Sequence, residues 1–170
     1  SPKLTYVMKC IEGIRNWHSA NKESMSGIII YMDRGKDYFE LLRKYLIEDL
    51  GFKEHEVGII KSGMQIPAWL KKLNKGMSKD DLKRVIQDRF LGRHFDPVSK
   101  MYEKLDEKDR MKILIGSSSI REGMNLQKHT STLFNCFIDW NPTDNAQLAG
   151  RCHRRGNIHK NVRIVNVSRG

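Results

Sequence analysis

Short apolar runs, separated by longer stretches with helical periodicity, constrain the fold of this chain more than any other feature of its sequence. The first run, residues 27–31 (GIIIY), is rich in β-branched residues and has no polar interruption, which is typical of a strand buried on both faces. Four further candidate strands follow at 57–60, 113–115, 133–138 and 162–167. Strands that alternate with helices predict an α/β fold, a three-layer α/β/α sandwich around a mostly parallel central sheet.

The segments between these runs carry the periodicity of amphipathic helices. The spacing of apolar residues predicts an opening helix that ends near Asn21 and further helices over 38–46, over 66–91 in two pieces, and over 143–155. The polar segment 92–110 shows neither the apolar runs of the strands nor the apolar spacing of the helices, so we predict a loop or surface insertion there. The sequence has no internal repeat, and residues 1–170 are expected to form a single domain.

The chain carries a large excess of positive charge. It has 31 Lys and Arg against 20 Asp and Glu, a net charge of +11 and a pI near 9.7. Such an excess favours a polyanionic partner, nucleic acid first, because basic side chains neutralise phosphates and release counterions. The same composition also fits a basic domain that is merely soluble.

Cysteine usage and hydropathy indicate the compartment. Cys10, Cys136 and Cys152 lie far apart without a C-x-x-C pair, which suits a reducing environment. No apolar run approaches the roughly 20 residues that span a bilayer, and the start SPKLTYVMK lacks the apolar core of a secretory signal. We therefore expect a cytoplasmic protein without membrane contact. We expect no metal site either, because Cys152 and His153 are the only close Cys/His pair.

Three polar side chains in the last predicted helix are spaced to share one face. Gln147, Arg151 and Arg154 stand at positions i, i+4 and i+7. Two guanidinium groups beside an amide form a donor array for phosphate oxygens, and an arginine supplied from outside often stabilises a transferring γ-phosphoryl group. Taken alone, the array fits an ordinary solvated basic face equally well.

The residues around this array resemble the motifs of superfamily-2 helicases in their Swi/Snf form. Residues 139–157 (DWNPTDNAQLAGRCHRRGN) are similar to motif VI, which reads D-W-N-P followed by Q-x-x-G-R-x-x-R-x-G-Q. Residues 115–127 (IGSSSIREGMNLQ) are similar to motif V, and residues 27–33 stand where motif IV is expected. The resemblance implies a RecA-like second lobe, the helicase C-terminal domain, of an ATP-dependent translocase. It makes the chain part of a hydrolase rather than a complete enzyme.

The resemblance implies nucleotide-side roles for the matched positions. Arg151 and Arg154 would act in catalysis, because they would reach the γ-phosphate of ATP held by a first lobe across the cleft between the lobes. Gln147 would couple the two lobes. Three residues of motif V are assigned with it to ATP binding or coupling: Glu122, Gly123 and Asn125.

The resemblance also implies that residues of motif V contact nucleic acid. Ser117, Ser118 and Ser119 would contact DNA phosphates, since short hydroxyls and free backbone N–H groups bind phosphate without reading sequence. The alternative for these serines is a turn whose backbone is capped by its own hydroxyls. The DNA is expected to be duplex, since Swi/Snf-type relatives usually move on duplex.

A closer resemblance is to the helicase part of bacterial and phage proteins that fuse a DNA methylase to a Swi/Snf-like motor. The start SPKL, the run IREGMNLQ and the pattern IDWNPTDxxQLxGR carry it. It implies a fused methylase domain as a further partner, although this chain contains no methylase residues. Two features depart from the pattern: Asn157 stands where Gln is usual, and the polar stretch after Phe90 lengthens the path to motif V.

The sequence lacks the parts that a complete ATPase needs. No G-x-x-x-x-G-K-[ST] loop occurs, and Asp37 follows Gly35-Lys36 where Ser or Thr would be required. We therefore expect ATP and Mg²⁺ to be bound mainly by a separate first lobe, and this chain alone to be inactive. Two other functions stay open: a stand-alone basic α/β nucleic-acid-binding module, and a small complete enzyme on a flavodoxin-like sheet.

Overall fold

The computed structural model describes residues 2–22, 27–32, 38–117, 130–136 and 163–167, with only the backbone of the last two ranges. Within them lie four α-helices: α1 (Pro2–Ala20), α2 (Tyr38–Glu48), α3 (Ala68–Leu73) and α4 (Leu82–Phe90). They also contain seven strands: β1 (Gly27–Met32), β2 (Val57–Ile60), β3 (Arg93–Asp96), β4 (Met101–Lys104), β5 (Ile113–Gly116), β6 (Thr130–Cys136) and β7 (Arg163–Val167).

Five of the strands form one sheet in the order β2-β5-β1-β6-β7. Every neighbouring pair in this sheet is parallel. Strand β1 lies in the middle, between two strands that come later in the chain. The prediction of an α/β fold with a parallel central sheet is confirmed.

The two faces of the sheet are covered by different helices. Ile28, Ile30 and Met32 of β1 belong to the apolar cluster that contains α1 and α2, whereas Ile29 and Tyr31 belong to the cluster that contains α3 and α4. The side chains of a strand alternate between faces, so an apolar run without polar interruption serves both layers. All six residues of β1 are buried. Each fully buried aliphatic side chain of this size contributes about 1.5–3 kcal/mol to folding.

A separate antiparallel hairpin, β3 paired with β4, lies within segment 92–110, where the sequence predicted a loop or surface insertion. Phe95 lies opposite Tyr102 in the hairpin. In its turn, Asp96 accepts hydrogen bonds from the Val98 N–H (2.9 Å) and the Ser99 hydroxyl (3.0 Å). These two bonds, that of Val98 foremost, hold the pKa of Asp96 below its ordinary value. The hairpin escaped the sequence analysis because β4 is exposed throughout and lacks an apolar face.

The remaining elements lie close to their predicted positions. The first helix ends at Ala20, and the helical region 66–91 contains α3 and α4 with Gly76 between them at φ +78°. Strand β6 begins at Thr130, three residues before the predicted start. The helix predicted at 143–155 lies outside the described residues. Among the residues that the structure describes, no helix is long and apolar enough to cross a bilayer.

The close approach of β2 to the residues before β5 gives a first testable prediction. A Cβ at Gly58 would lie 2.4 Å from Cε and 2.6 Å from Sδ of Met111, which is fully buried. We expect Gly58→Ala to destabilise the fold by about 1–3 kcal/mol, because the Met111 side chain must leave its position. Urea denaturation of the chain measures this change.

A double-mutant cycle separates the clash from other effects of the alanine. Met111→Ala alone leaves a cavity and is expected to cost about 2–5 kcal/mol. In the Gly58→Ala/Met111→Ala protein the new methyl group has room, so the double loss should be smaller than the sum of the single losses. Strictly additive losses would contradict the clash as the cause.

Candidate nucleotide and nucleic-acid site

The two segments that carry the predicted site leave the sheet from the same edge. Tyr31 of β1 pairs with Gly116 of β5 on one side and with Asn135 of β6 on the other. Because the sheet is parallel, the carboxyl ends of β5 and β6 lie at one edge, about 10 Å apart with β1 between them. Ligands of open parallel sheets bind beyond this edge. Residues 118–129 follow β5 and residues 137–162 follow β6.

Ser117 is the predicted site residue that the structure describes. It follows β5 directly, is only 1% exposed, and its Oγ has no hydrogen-bond partner within the described ranges. A buried hydroxyl without a partner costs about 1–3 kcal/mol. Direct contact between this hydroxyl and a DNA phosphate would require the hydroxyl to become accessible, whereas its burial puts it in the interior of this lobe.

The other predicted site residues lie outside the described residues. Those of motif V are Ser118, Ser119, Glu122, Gly123 and Asn125, and those of motif VI are Gln147, Arg151 and Arg154. Their roles stay predictions. Of the predicted site, the structure describes Ser117 and the edge of the sheet from which both segments emerge.

Strand β5 is held in place at its amino end by two buried arginines. Arg110, 4% exposed, donates from Nη2 to the carbonyl of Phe90 (3.0 Å) at the end of α4. Arg89, 5% exposed, donates from Nη2 to the carbonyl of Asp109 (3.2 Å). Burial lowers the pKa of both guanidinium groups from their ordinary values. These bonds tie the last turn of α4 to the residues that lead into β5 and Ser117.

A concave feature that the sequence analysis missed lies beside α4. It is a cleft of about 500 Å³ lined by residues of the end of α3, the α3–α4 turn, α4 and β3. The only sequence signal for it is a run of four lysines within residues 71–79. The other basic residues of the cleft come from separate elements, so no local pattern could bring them together.

The sequence of this chain is similar to one known protein family, and its fold is similar to that of solved structures. Residues 98–156 match the family described as helicase conserved C-terminal domain. No curated protein sequence matches the chain. The matched residues include β4, β5 and β6 and every predicted site residue from Ser117 to Arg154.

Two solved structures are similar to this chain. The C-terminal part of the Fun30 ATPase domain has a TM-score of 0.60 and 18% sequence identity, over 98% of this chain and 40% of that chain. The Pyrococcus furiosus Hef helicase domain has a TM-score of 0.49 and 14% identity, over 100% of this chain and 26% of that chain. This chain therefore spans well under half the length of either structure. The Fun30 likeness shows the fold alone: an α/β domain around a parallel central sheet, of the RecA-like kind.

The buried hydroxyl of Ser117 gives a second prediction. Ser117→Ala removes no hydrogen bond to a described residue, so thermal stability should be unchanged or slightly raised. Ser78→Ala is the matched control, because it deletes a hydroxyl that donates to Asp81 Oδ2 (3.0 Å) ahead of α4, and it should lower stability. Melting of the two variants side by side measures this. A loss at Ser117 as large as that at Ser78 would show that Ser117 has a structural hydrogen bond.

Proposed function

We propose that this chain is the second motor lobe of a superfamily-2, Swi/Snf-type ATP-dependent translocase that acts on duplex DNA. The observation that carries the proposal is the helicase C-terminal domain match over residues 98–156, which includes all of motif V and all of motif VI except Asn157. It is supported by the parallel sheet, in which the two segments that contain these motifs leave from one edge.

In this proposal the motif VI arginines act on ATP held by another lobe. Arg151 and Arg154 donate hydrogen bonds to the γ-phosphate oxygens, whose negative charge grows more dispersed in the transition state. Gln147, on the same predicted helix face, couples closure of the two lobes to the bound nucleotide. Glu122, Gly123 and Asn125 complete the nucleotide side of the lobe interface.

The donor set of this chain fits a triphosphate only in part. Guanidinium and amide groups are present, but a loop that cradles phosphates with backbone N–H groups and a lysine does not occur in the sequence. We therefore assign most of the binding of ATP and Mg²⁺ to a first RecA-like lobe of the same polypeptide. ATP hydrolysis supplies the free energy of translocation.

Duplex DNA is the proposed track. The net charge of +11 supports binding led by phosphate contacts. Ser118 and Ser119, with the backbone N–H groups around Ser117, are the proposed phosphate contacts of motif V. The sequence resemblance to methylase–helicase fusions adds a DNA methylase domain as a proposed partner in the same polypeptide.

A third prediction concerns the isolated chain. Without a phosphate-cradling loop it should show no appreciable ATP turnover with Mg²⁺ and duplex DNA. A coupled phosphate-release assay measures the rate, and addition of the first lobe should raise it. Robust DNA-stimulated hydrolysis by the chain alone, abolished by a substitution within it, would contradict a half-motor.

A fourth prediction tests the motif VI arginines in the complete motor. Arg151→Ala should lower the ATPase rate on the order of 10³-fold, as expected for an arginine that stabilises the transition state. Arg154→Ala should also lower the rate strongly. The affinity for ATP should change much less, because the first lobe makes most ground-state contacts. Steady-state ATPase kinetics with DNA at saturation separate the two effects.

Arg155 supplies the matched control for this series. It is adjacent to Arg154 in the sequence but points about 100° away around a helix, so Arg155→Ala should be mild. A solvated basic face would give three similar small effects that disappear at high salt. That result would contradict the catalytic role proposed for Arg151 and Arg154.

A further inference from the structure

The cleft beside α4 is rich in positive charge. Five of its lining residues are basic, one from α3, one from the turn after it, two from α4 and one from β3, and two are acidic. The basic residues are Lys72, Lys75, Arg84, Arg89 and Arg93, and the acidic ones are Asp81 and Asp88. An open concave surface with such an excess of one sign attracts an anionic ligand.

The two carboxylates of the cleft are already engaged. Asp88, whose side chain is 4% exposed, lies 3.2 Å from Nη1 of Arg84 and 2.8 Å from Nε of Arg93. Asp81 accepts hydrogen bonds from the N–H and hydroxyl of Ser78, both at 3.0 Å. Within the described ranges, Lys72 and Lys75 form no ion pair, and both are exposed. Their charges are therefore available to a ligand.

Arg89 places a further positive charge at the wall of the cleft. Its guanidinium donates to two neutral oxygens, the Asn74 side chain (3.4 Å) and the Asp109 carbonyl (3.2 Å). No carboxylate of a described residue lies within 4.0 Å of it, and its Nε has no acceptor in those ranges. A guanidinium stays protonated in proteins, so this is a buried charge whose acidic neighbour, Asp109, acts on it only from beyond ion-pair distance. An anion in the cleft would offset it.

Aromatic rings alternate with the arginines on the hairpin side of the cleft. The Arg84 guanidinium lies 5.6 Å from the Phe95 ring centre, and that of Arg93 lies 4.6 Å from the Tyr102 ring centre. Phe95 lines the cleft, and the ring of Tyr102, which lies beside the cleft outside its lining, is 5.3 Å from the Phe95 ring and 50% exposed. Basic grooves with exposed aromatic rings are how proteins hold single nucleic-acid strands, because phosphates bind the cations and bases stack on the rings.

The Arg89 end of the cleft and Ser117 lie at opposite ends of β5. The last turn of α4 lies at the amino end of β5, where the Met111 N–H donates to the carbonyl of Arg89 (3.1 Å). Ser117 and the segment after it lie at the carboxyl end of the same strand. Arg89 and Ser117 are thus separated by about the length of β5, about 13 Å.

We propose that this cleft binds the backbone of a single nucleic-acid strand, with Lys72 and Lys75 on phosphates and Tyr102 as a stacking ring. The proposal rests on the proposed function only in choosing nucleic acid among polyanions. A single strand fits better than a duplex, because a strand with unpaired bases can enter a concave cleft and stack, whereas a duplex keeps its bases inside. The lobe would then hold a strand with residues that belong to neither motif V nor motif VI.

The test is equilibrium binding of a fluorescent single-stranded oligonucleotide to the full chain, without nucleotide, over a range of salt. Lys72→Glu/Lys75→Glu should weaken binding at least tenfold and make the slope of log K against log salt shallower by about 1.4, the release expected for two phosphates of a single strand. Tyr102→Ala should weaken binding roughly tenfold, and Tyr102→Phe should retain it because the ring remains.

Lys9→Glu/Lys44→Glu is the matched control. It makes the same change of charge at two exposed lysines on α1 and α2, the helices that cover the other face of the sheet. If both double variants weaken binding equally, only the overall charge matters and the cleft is not a site. Loss of duplex binding alone, or an acidic peptide that competes as well as the oligonucleotide, would overturn the single-strand assignment. Failure of the proposed motor function would instead appear as ATPase activity indifferent to Arg151→Ala, in a separate assay.

Discussion

Strand β1 packs Ile28, Ile30 and Met32 against α1 and α2, and Ile29 and Tyr31 against α3 and α4. One strand thereby joins the two apolar clusters of the domain, and its two edges hold β5 and β6 in register. The positions of the four helices follow from this double burial. The edge that gathers the candidate site exists because β5 and β6 both run parallel to β1 and end beside it. A polar residue in β1 would lose its hydration whichever face it pointed to.

A second constraint lies in the polar groups around α4. Buried Arg110 and Arg89 bind backbone carbonyls at the junctions of α4 and β5, and buried Asp88 joins α4 to β3 through Arg93. Charges this deep are costly unless each is well bonded. Their bonds fix the hairpin against the helix and so give the basic cleft its shape. The same residues therefore hold β5 in position and leave an excess of positive charge on the surface beside it.

Much of the fold could be predicted from the sequence, because buried strands and helix faces require apolar residues at regular spacing. The run 27–31 has to be a strand between two layers, and the helical spacing before Asn21 has to be a helix on one face. Strands β3 and β4 could not be found this way, since residues such as Arg93 and Glu103 are held by pairing and ion pairs rather than by apolar burial. The motifs identified the edge of the sheet at Ser117, but not that its hydroxyl is enclosed, which depends on packing from distant segments. The cleft could not be predicted from the sequence either, because its basic residues come from separate elements that only the fold brings together.

The order of strands in the sheet has a consequence for how the domain is made. A ribosome delivers β1 before both of its partners, β5 from Ile113 and β6 from Thr130, and the intervening β2 does not pair with it. Until then the N–H and C=O groups along both edges of an apolar strand lack their final acceptors and donors, which is the condition that favours wrong pairing between nascent chains. Helices α1 and α2 can shield only one face of β1 in this interval. The central strand of the sheet is synthesised before both of its neighbours, and its pairing is completed only when β6 has emerged.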